Sequence, residues 1–228
     1  NKNLSRNPHA LAQRRSQLHE SVGPRAETPY LSASGSFQVV TNGFGAGLPP
    51  AAVPRDLEPL ASRDGTVTTR TRIKENGYLL WVDSSSVYFS SRLSNERVET
   101  LASANKLRAH LERPLVVCDP YAGVGPSMGA LLSEADLVSG CLVGDLNPEA
   151  FTLLELNMIH LSGRRKDSNG NPSPPLLPME VACCDAKAWP LEVKNIGTVD
   201  LLLVNLPHHS IEHIPTLLPL LKTNQTSV

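Results

Sequence analysis

The sequence predicts an α/β fold built on a parallel, doubly wound sheet. From Leu115 onward, apolar runs of about four to six residues alternate with stretches of helical period, and this alternation is typical of strands joined by helical crossovers. The runs are apolar throughout rather than alternately polar, as expected of strands that are covered on both faces. Apolar residues make up 40% of the 228 residues, which is enough to build such a core.

Four strands and three helices are expected after Leu115. A polar, Pro-rich excursion at residues 162–178 separates the second of these helices from the third strand. The last helix is interrupted by Pro215 and Pro219, because proline removes a backbone hydrogen bond. The predicted strands are residues 115–118, 141–144, 180–184 and 199–204, and the predicted helices are residues 127–135, 148–161 and 211–221.

A β-hairpin and a further helix are predicted upstream of this region. Residues 67–73 and 78–82 have the composition of strands and are joined through Asn76-Gly77, a pair that suits the positive φ of a tight hairpin turn. Residues 95–112 carry an apolar stripe at helical spacing, and Pro114 ends that helix. The predicted domains are residues 1–66 for an N-terminal arm, 67–94 for the hairpin and its linker, and 95–228 for the α/β domain.

The arm is predicted to be extended. Residues 23–59 are rich in Pro and Gly and show no sustained period of 2 or 3.6. Such a segment buries too little apolar surface to offset the entropy of ordering it, so we expect an ordered arm to lie on a partner rather than on its own domain. The first 19 residues carry four basic residues and no acid, as in an organellar presequence or a disordered basic tail. A mitochondrial matrix location is expected, with the cytoplasm as the alternative.

Charge and composition narrow the classes of partner. Lys and Arg number 21 against 22 Asp and Glu, so the net charge of -1 supplies no overall attraction to nucleic acid. Any RNA contact must therefore be local. No stretch approaches the roughly 18 apolar residues that a bilayer span needs, so no membrane span is expected. The four cysteines lack C-x-x-C spacing, so no metal site is expected either.

A Gly-rich turn follows the first predicted strand of the sheet. It reads Asp119-Pro-Tyr-Ala-Gly-Val-Gly-Pro126 and leads into a predicted helix. Gly123 and Gly125 let the backbone pass close to a ligand, and the N-terminus of the helix offers free N–H groups to a carboxylate. We interpret the turn as a cofactor cradle, and a Gly-rich structural turn is the alternative.

Polar side chains also end the other three predicted strands. Asp145 lies 26 residues after Asp119, where a carboxylate can accept hydrogen bonds from both hydroxyls of a ribose. Asp185 ends the third strand and is placed to reach an adenine amino group. Asn205 ends the fourth, shortly before Pro207, where an amide can hydrogen-bond the edge of a flat nucleobase. Each alone is more typical of a helix cap or a turn, but their ordered recurrence favours one common site.

Together these motifs resemble the Met-10-type family of tRNA (guanine-N1)-methyltransferases. Residues 87–97, which read Val-Tyr-Phe-Ser-Ser-Arg-Leu-Ser-Asn-Glu-Arg, are also similar to the family's connection between a small β-rich domain and the catalytic domain. The resemblance covers about residues 77–221. It implies a Rossmann-like class I methyltransferase sheet, S-adenosyl-L-methionine as cofactor, and methylation of the guanine that lies 3′ of the tRNA anticodon.

The resemblance further implies roles for individual residues. Asn205 and Pro207 are implied to contact the target guanine, and Arg92 to stabilise charge on its O6 atom. Ser127 stands where the family usually has an aromatic residue. The residues implied to line the cofactor site are Asp119, Gly123, Gly125, Asp145 and Asp185.

Two functions remain open on the sequence. The first is an active tRNA methyltransferase. The second is an inactive, methyltransferase-derived structural subunit or assembly factor of a large ribonucleoprotein, such as a mitochondrial ribosome, which would bind ribosomal RNA and use the arm for assembly. The chain stops after the helix that follows the fourth strand, so the sheet is expected to be incomplete at the C-terminus relative to the family.

Overall fold

The computed structural model describes residues 38–40, 68–172, 177–206 and 209–223. Short 3-10 helices lie at Ser91–Leu93, Ala186–Leu191, Val193–Asn195 and Leu218–Leu220. The strands are β1 (Gln38–Val40), β2 (Arg70–Glu75), β3 (Tyr78–Asp83), β4 (Leu115–Asp119), β5 (Val138–Asp145), β6 (Met179–Cys183) and β7 (Leu201–Leu203), and the helices are α1 (Ser94–Leu111), α2 (Pro126–Ser133), α3 (Pro148–Ser162) and α4 (Ser210–Leu217).

The main sheet confirms the predicted parallel α/β fold. Its strand order is β1-β7-β4-β5-β6, and every pairing in it is parallel. The chain runs outward from β4 through β5 to β6, and then crosses to the opposite side of β4 to form β7. The strand order therefore reverses between β4 and β7, and ligands of open α/β sheets bind beyond the carboxyl ends of the strands at such a switch point.

Both faces of the sheet are covered, as expected of a doubly wound fold. Successive residues of a strand point to opposite faces. Val117 accordingly packs into one buried apolar cluster with residues of α2 and α3. Its neighbour Cys118 packs into a second cluster with Trp189 and with Leu217 of α4. This arrangement explains why the strands are apolar on both sides.

One strand lies where the sequence predicted none. Gln38–Val40 falls inside the predicted extended arm, yet it pairs with β7 in parallel register, Gln38 opposite Leu201 and Val40 opposite Leu203. Three residues are too few to show a period of 2, and the strand is specified by its tertiary partner rather than by local propensity. The expectation that an ordered arm lies only on a partner is therefore wrong for these three residues. The remaining arm residues, 1–37 and 41–66, lie outside the described residues.

Strand boundaries differ from prediction where a strand contains polar or small residues. β5 begins at Val138, three residues before its predicted start, because Ser139 and Gly140 interrupt the apolar run that marks a strand in the sequence. β7 covers only Leu201–Leu203, inside its predicted range of 199–204, and the buried Asp200 just before it bonds Arg113 and the backbone N–H of Val116 through its side chain. Every predicted strand and helix of the α/β region is present, but the last helix becomes a 3-10 helix at Leu218–Leu220, and the 3-10 helices at Ala186–Leu191 and Val193–Asn195 were not predicted.

The hairpin formed by β2 and β3 packs on the α/β domain. Its turn residues Asn76 and Gly77 have φ angles of 44° and 92°, the positive values that the Asn-Gly pair predicted. Tyr78 lies so close to α2 that a β-carbon on Gly129 would sit 2.5 Å from the Tyr78 ring. Asn157 of α3 bonds both the N–H and the carbonyl of Trp81, at 2.7 and 2.9 Å, which satisfies part of the free edge of β3.

Among the described residues, no helix combines the length and apolar content needed to cross a membrane. Over the same residues, no group of three or more His, Cys, Asp or Glu side chains is arranged to hold a metal ion.

Candidate active site

The acidic residues predicted to share a site do converge on the carboxyl edge of the main sheet. Asp119 and Asp145 are the last residues of β4 and β5. Asp185 lies two residues beyond the end of β6, and Asn205 lies two residues beyond β7. Because β4 and β7 are hydrogen-bonded neighbours, Asp119 and Asn205 flank the switch point itself.

The Gly-rich turn joins β4 to α2 with two residues in the left-handed region. Gly123 has φ 57° and Gly125 has φ 86°, values that favour glycine. At Gly125 a β-carbon would also lie 3.0 Å from the side chain of Leu154. Gly125 immediately precedes α2, whose first residue is Pro126. The N-terminus of α2 therefore faces the switch point with its free N–H groups.

Asp145 fixes the shape of this turn. Its Oδ2 accepts a hydrogen bond from the backbone N–H of Gly123 at 2.8 Å, and its Oδ1 accepts one from the N–H of Asn147 at 2.9 Å. The residue is half-buried, and each carboxylate oxygen has a second lone pair to offer. Asp145 thus links the Gly-rich turn to the start of α3 and retains acceptor capacity for a ligand.

Asp119 is the most perturbed group of the site. It is 1% exposed, and its Oδ1 has no hydrogen-bond partner among the described residues. Burial, opposed by the backbone N–H of Tyr121 and reinforced by the nearby Asp145 carboxylate, raises the pKa of Asp119 from its ordinary 3.8 to about 7. A buried carboxyl with an open acceptor is suited to a cationic or N–H-donating ligand group.

The raised pKa of Asp119 predicts how stability depends on pH in the ligand-free protein. Between about pH 4 and pH 7 the folded state holds a proton on Asp119 that the unfolded chain has released, so the folded state binds more protons. This contribution is fully present below pH 4 and is lost as pH rises through 7. The Asp119→Asn variant should therefore show a flatter unfolding free energy between pH 4 and 7 in urea titrations than the wild type.

An exposed carboxyl serves as the control for this prediction. Glu134 lies on the surface after α2, and Glu134→Gln should keep the wild-type pH profile. If Asp119→Asn and Glu134→Gln give the same profile, Asp119 ionises normally in the folded protein and the account of its burial is wrong.

Asp185 is exposed and caps the 3-10 helix that follows it. Its Oδ1 accepts a hydrogen bond from the N–H of Lys187 at 2.9 Å, so the capping role named as an alternative is realised. Burial of Tyr121, and to a smaller extent the charge of Asp185, raises the pKa of Tyr121 to about 12. The Asp185 carboxylate therefore lies near the Gly-rich turn. The other oxygen of Asp185, Oδ2, lies 4.0 Å from Lys187 Nζ in an exposed ion pair and retains a lone pair for a further hydrogen bond.

Asn205 is held loosely. Its Nδ2 lies 3.5 Å from the Ser127 hydroxyl in the first turn of α2, and its buried Oδ1 has no partner among the described residues. Ser127, the residue that departs from the family pattern, therefore lies next to the amide implied to bind the base. Pro207, the other residue implied to contact the base, lies outside the described residues.

Arg92 lies on the 3-10 helix Ser91–Leu93 and its side chain is exposed. The segment before it is tied to the site by its backbone: Asn147 Nδ2 donates to the carbonyl of Ser86 at 3.2 Å, and Arg97 Nη2 donates to the carbonyl of Ser90 at 3.0 Å. The described hydrogen bonds thus fix the path of the chain that carries Arg92, and leave its guanidinium available to a ligand.

The sequence did not single out several residues that build this site. Tyr121 and His213 hydrogen-bond at 2.7 Å between the Tyr hydroxyl and Nδ1, which joins the Gly-rich turn to α4. Asn157 also donates to the carbonyl of Val124 in the turn at 2.8 Å. These contacts join residues 33 to 92 positions apart, so no local pattern could have indicated them.

Part of the chain is similar to known proteins. Residues 71–165 match the model of the TRM5/TYW2 methyltransferase domain. The tRNA (guanine(37)-N(1))-methyltransferase Trm5b of Methanocaldococcus jannaschii is 38% identical over 104 residues, which are 46% of this chain and 27% of that protein. Trm5b of Pyrococcus abyssi is 34% identical over 152 residues, 65% of this chain and 37% of that protein. The chain therefore spans less than half the length of these curated relatives.

Solved structures agree with the sequence comparison. The crystal structure of the M. jannaschii tRNA m1G37 methyltransferase superposes with a TM-score of 0.50 at 28% identity, covering 69% of this chain and 42% of the other. The crystal structure of M. jannaschii TYW2 in complex with AdoMet gives a TM-score of 0.52 at 18% identity, over 71% of this chain and 64% of the other. The second likeness shows the fold alone.

The switch-point site and its parallel sheet define a class I methyltransferase-type α/β domain. Residues 71–165 carry the TRM5/TYW2 methyltransferase domain, and the similarity to the archaeal Trm5b proteins agrees with it, which confirms the resemblance found in the sequence.

Proposed function

We propose that this chain acts as an S-adenosyl-L-methionine-dependent tRNA (guanine-N1)-methyltransferase on the guanine 3′ of the anticodon. The observation that carries the proposal is the pair of buried acceptor oxygens, Asp119 Oδ1 and Asn205 Oδ1, that have no partner among the described residues. An unpartnered buried acceptor costs about 1–3 kcal/mol. Because the two oxygens lie at the ends of adjacent strands, they support the proposal that ligands with N–H groups complete the site. The names of the similar Trm5b proteins support the substrate class.

The residues at the switch point fit the chemical groups of the cofactor. Asp119 offers its open Oδ1 to an ammonium group, and the N-terminus of α2 offers N–H groups to a carboxylate. Asp145 retains acceptor capacity for ribose hydroxyls, and the exposed Asp185 is available to an adenine amino group. The bound cofactor supplies an electrophilic methyl group on a sulfonium sulfur.

The residues assigned to the base orient it and stabilise its charge. Asn205 Oδ1 accepts an N–H of the guanine edge, which fixes the plane of the base. Methylation would form a bond from N1 to the methyl carbon as that carbon's bond to sulfur breaks, with the N1 proton leaving to solvent, and the Arg92 guanidinium would stabilise the negative charge that deprotonation places on O6. Alignment and preorganised charge therefore supply most of the barrier reduction, and no strong acid or base among the described side chains is required for the transfer itself.

Methyl transfer by the full-length protein tests the proposal. Incubation with methyl-labelled S-adenosyl-L-methionine and a tRNA transcript bearing guanine 3′ of the anticodon should label that base at N1. The same transcript with adenine at that position is the control and should stay unlabelled. Calorimetry should show cofactor binding at millimolar concentration or below, since a Kd of 1 mM corresponds to about -4.1 kcal/mol. No labelling of any such tRNA would refute the proposal.

The alternative of an inactive ribonucleoprotein subunit gains no support from the comparisons, because the similar proteins are named as methyltransferases. The composition of residues 1–19 supports a mitochondrial matrix location as part of the proposal. Fractionation of cells that express the full-length protein tests that location, and a purely cytoplasmic distribution would contradict it.

A further inference from the structure

We infer that the outward face of the β2–β3 hairpin binds the phosphate backbone of RNA. The face consists of Arg70, Arg72, Lys74 and Trp81, and we call it the arginine face. The three cations occupy alternate positions of β2 and therefore point to the same side. All three are exposed. The inference rests on the proposed function in naming tRNA as the RNA.

Trp81 preorganises the two guanidinium groups. The Cζ atoms of Arg70 and Arg72 lie 5.2 and 5.1 Å from the centroid of the Trp81 ring, within the range of a cation–π contact. Arg72 stands directly opposite Trp81 in the antiparallel register. The ring contacts both groups without using their N–H donors, and among the described residues neither guanidinium makes a hydrogen bond or an ion pair. Planar guanidinium forks with free donors match phosphate oxygens.

The charge of the arginine face is local and only partly balanced. The whole chain has a net charge of -1, whereas this face carries three cations. Asp83, opposite Arg70 in the register, is the acid on the same face, and its carboxylate already accepts hydrogen bonds from Thr69 and Ser85. A net positive face therefore remains on a protein whose overall net charge is -1, and such a face can supply a local RNA contact that the overall charge does not.

The position of the arginine face assigns it to nucleotides that flank the target base. Asn157 bonds the backbone of Trp81 and also donates to the carbonyl of Val124 in the Gly-rich turn, so the hairpin lies beside the proposed cofactor cradle. The three cations lie on β2, which pairs with the outer side of β3, and their side chains are exposed. The arginine face is therefore placed to hold the RNA strand that presents the target base rather than to touch the reacting atoms. It is expected to affect RNA affinity and KM rather than kcat.

The salt dependence of RNA binding tests this inference. With the full-length protein, an anticodon stem-loop RNA and no cofactor, log K is measured against log salt concentration. Each lost phosphate contact should reduce the steepness of this plot by about 0.7–0.9. Arg72→Gln should lose one such increment and Arg70→Gln/Arg72→Gln about two. In methyl-transfer assays the double variant should raise KM and leave kcat unchanged.

Two matched variants control for charge and for chemistry. Lys106→Gln removes one exposed cation from α1, 12 residues or about 18 Å along the helix from Ser94, which contacts the hairpin turn, and it should keep the wild-type slope. Arg72→Lys keeps the charge but loses the planar fork, so it should keep the slope and bind more weakly.

The two possible failures are distinguishable. If the wild type methylates tRNA but the Arg70→Gln/Arg72→Gln variant has the slope and KM of Lys106→Gln, the arginine face does not bind RNA and the proposed function stands. If the slope of the double variant is less steep by about two increments while the wild type transfers no methyl group, the inferred surface stands and the proposed function fails.

Discussion

Arg97→Met should lower the free energy of unfolding by about 3–5 kcal/mol, because it leaves a buried carboxylate without its cation. The side chains of Arg97 and Glu75 are 5% and 7% exposed. Arg97 Nη1 donates to both carboxylate oxygens of Glu75, at 2.8 and 2.7 Å. The Tyr78 hydroxyl donates a third bond to Glu75 at 2.7 Å. Burial raises the pKa of Tyr78, so the phenol remains the donor.

This buried cluster joins three parts of the molecule. Glu75 ends β2, Arg97 lies in α1, and Arg97 also donates to the carbonyl of Ser90 in the linker between them. The guanidinium lies 5.2 Å from the centroid of the Phe89 ring. Removing Arg97 thus releases the hairpin, α1 and the segment that carries Arg92 together, and urea unfolding monitored by circular dichroism measures the loss.

An exposed ion pair supplies the control. Lys194 pairs with Glu180 at 2.9 Å and with Glu192 at 3.1 Å on the surface. Lys194→Gln should leave the free energy of unfolding close to the wild-type value, because exposed pairs are solvated and screened. The double variant Glu75→Met/Arg97→Met should recover part of the loss, since it removes the unpaired charge as well. An Arg97→Met variant as stable as Lys194→Gln would show that the cluster is not structurally important.

Buried pairs of this kind also show where prediction from the sequence stops. Glu75 and Arg97 are 22 positions apart, and each lies in a segment whose period predicted a strand or a helix but no partner. The sheet was predictable because fully buried parallel strands are apolar at every position, as at Val117 and Cys118. β1 was not, because three residues have no period and depend on pairing with β7.

The candidate site also has features that the sequence predicts and features that only the folded chain defines. The positions of Asp119 and Asp145 at strand ends follow from the apolar runs that precede them, and parallel strands bring such ends to one edge. Which oxygens remain without a partner depends on contacts that only the folded chain defines. The Asp145 carboxylate is bonded to Gly123 and Asn147, whereas Asp119 Oδ1 and Asn205 Oδ1 are left open. The role given to Arg92 rests on the family resemblance and on its exposed position.

Arg92→Ala and Asn205→Ala should each lower the rate of methyl transfer by about 10² to 10³ and leave cofactor affinity unchanged. Removing one preorganised donor or dipole at a developing charge has an effect of this size, about 3–4 kcal/mol. Neither change should unfold the protein. Arg92 is exposed, and Asn205 makes a single long contact with Ser127 at 3.5 Å.

Single-turnover assays with saturating cofactor and tRNA isolate the chemical step from binding. Calorimetry on the same variants should give the wild-type Kd for S-adenosyl-L-methionine. Asp145→Asn is the contrasting variant: it should weaken cofactor binding, because it removes a carboxylate oxygen that bonds the N–H of Gly123 and serves the ribose. Arg164→Ala, which removes an exposed arginine after α3, should change neither quantity.

These variants separate a role in catalysis from a role in folding or cofactor binding. If Arg92→Ala and Asn205→Ala bind cofactor normally and transfer methyl groups at the rate of Arg164→Ala, the target base is oriented by other residues and both assignments fail. If they lose cofactor binding as Asp145→Asn does, they belong to the cofactor site. Only slow transfer at full cofactor occupancy agrees with Asn205 fixing the plane of the base and Arg92 stabilising the charge on O6, since that charge develops only as N1 gives up its proton.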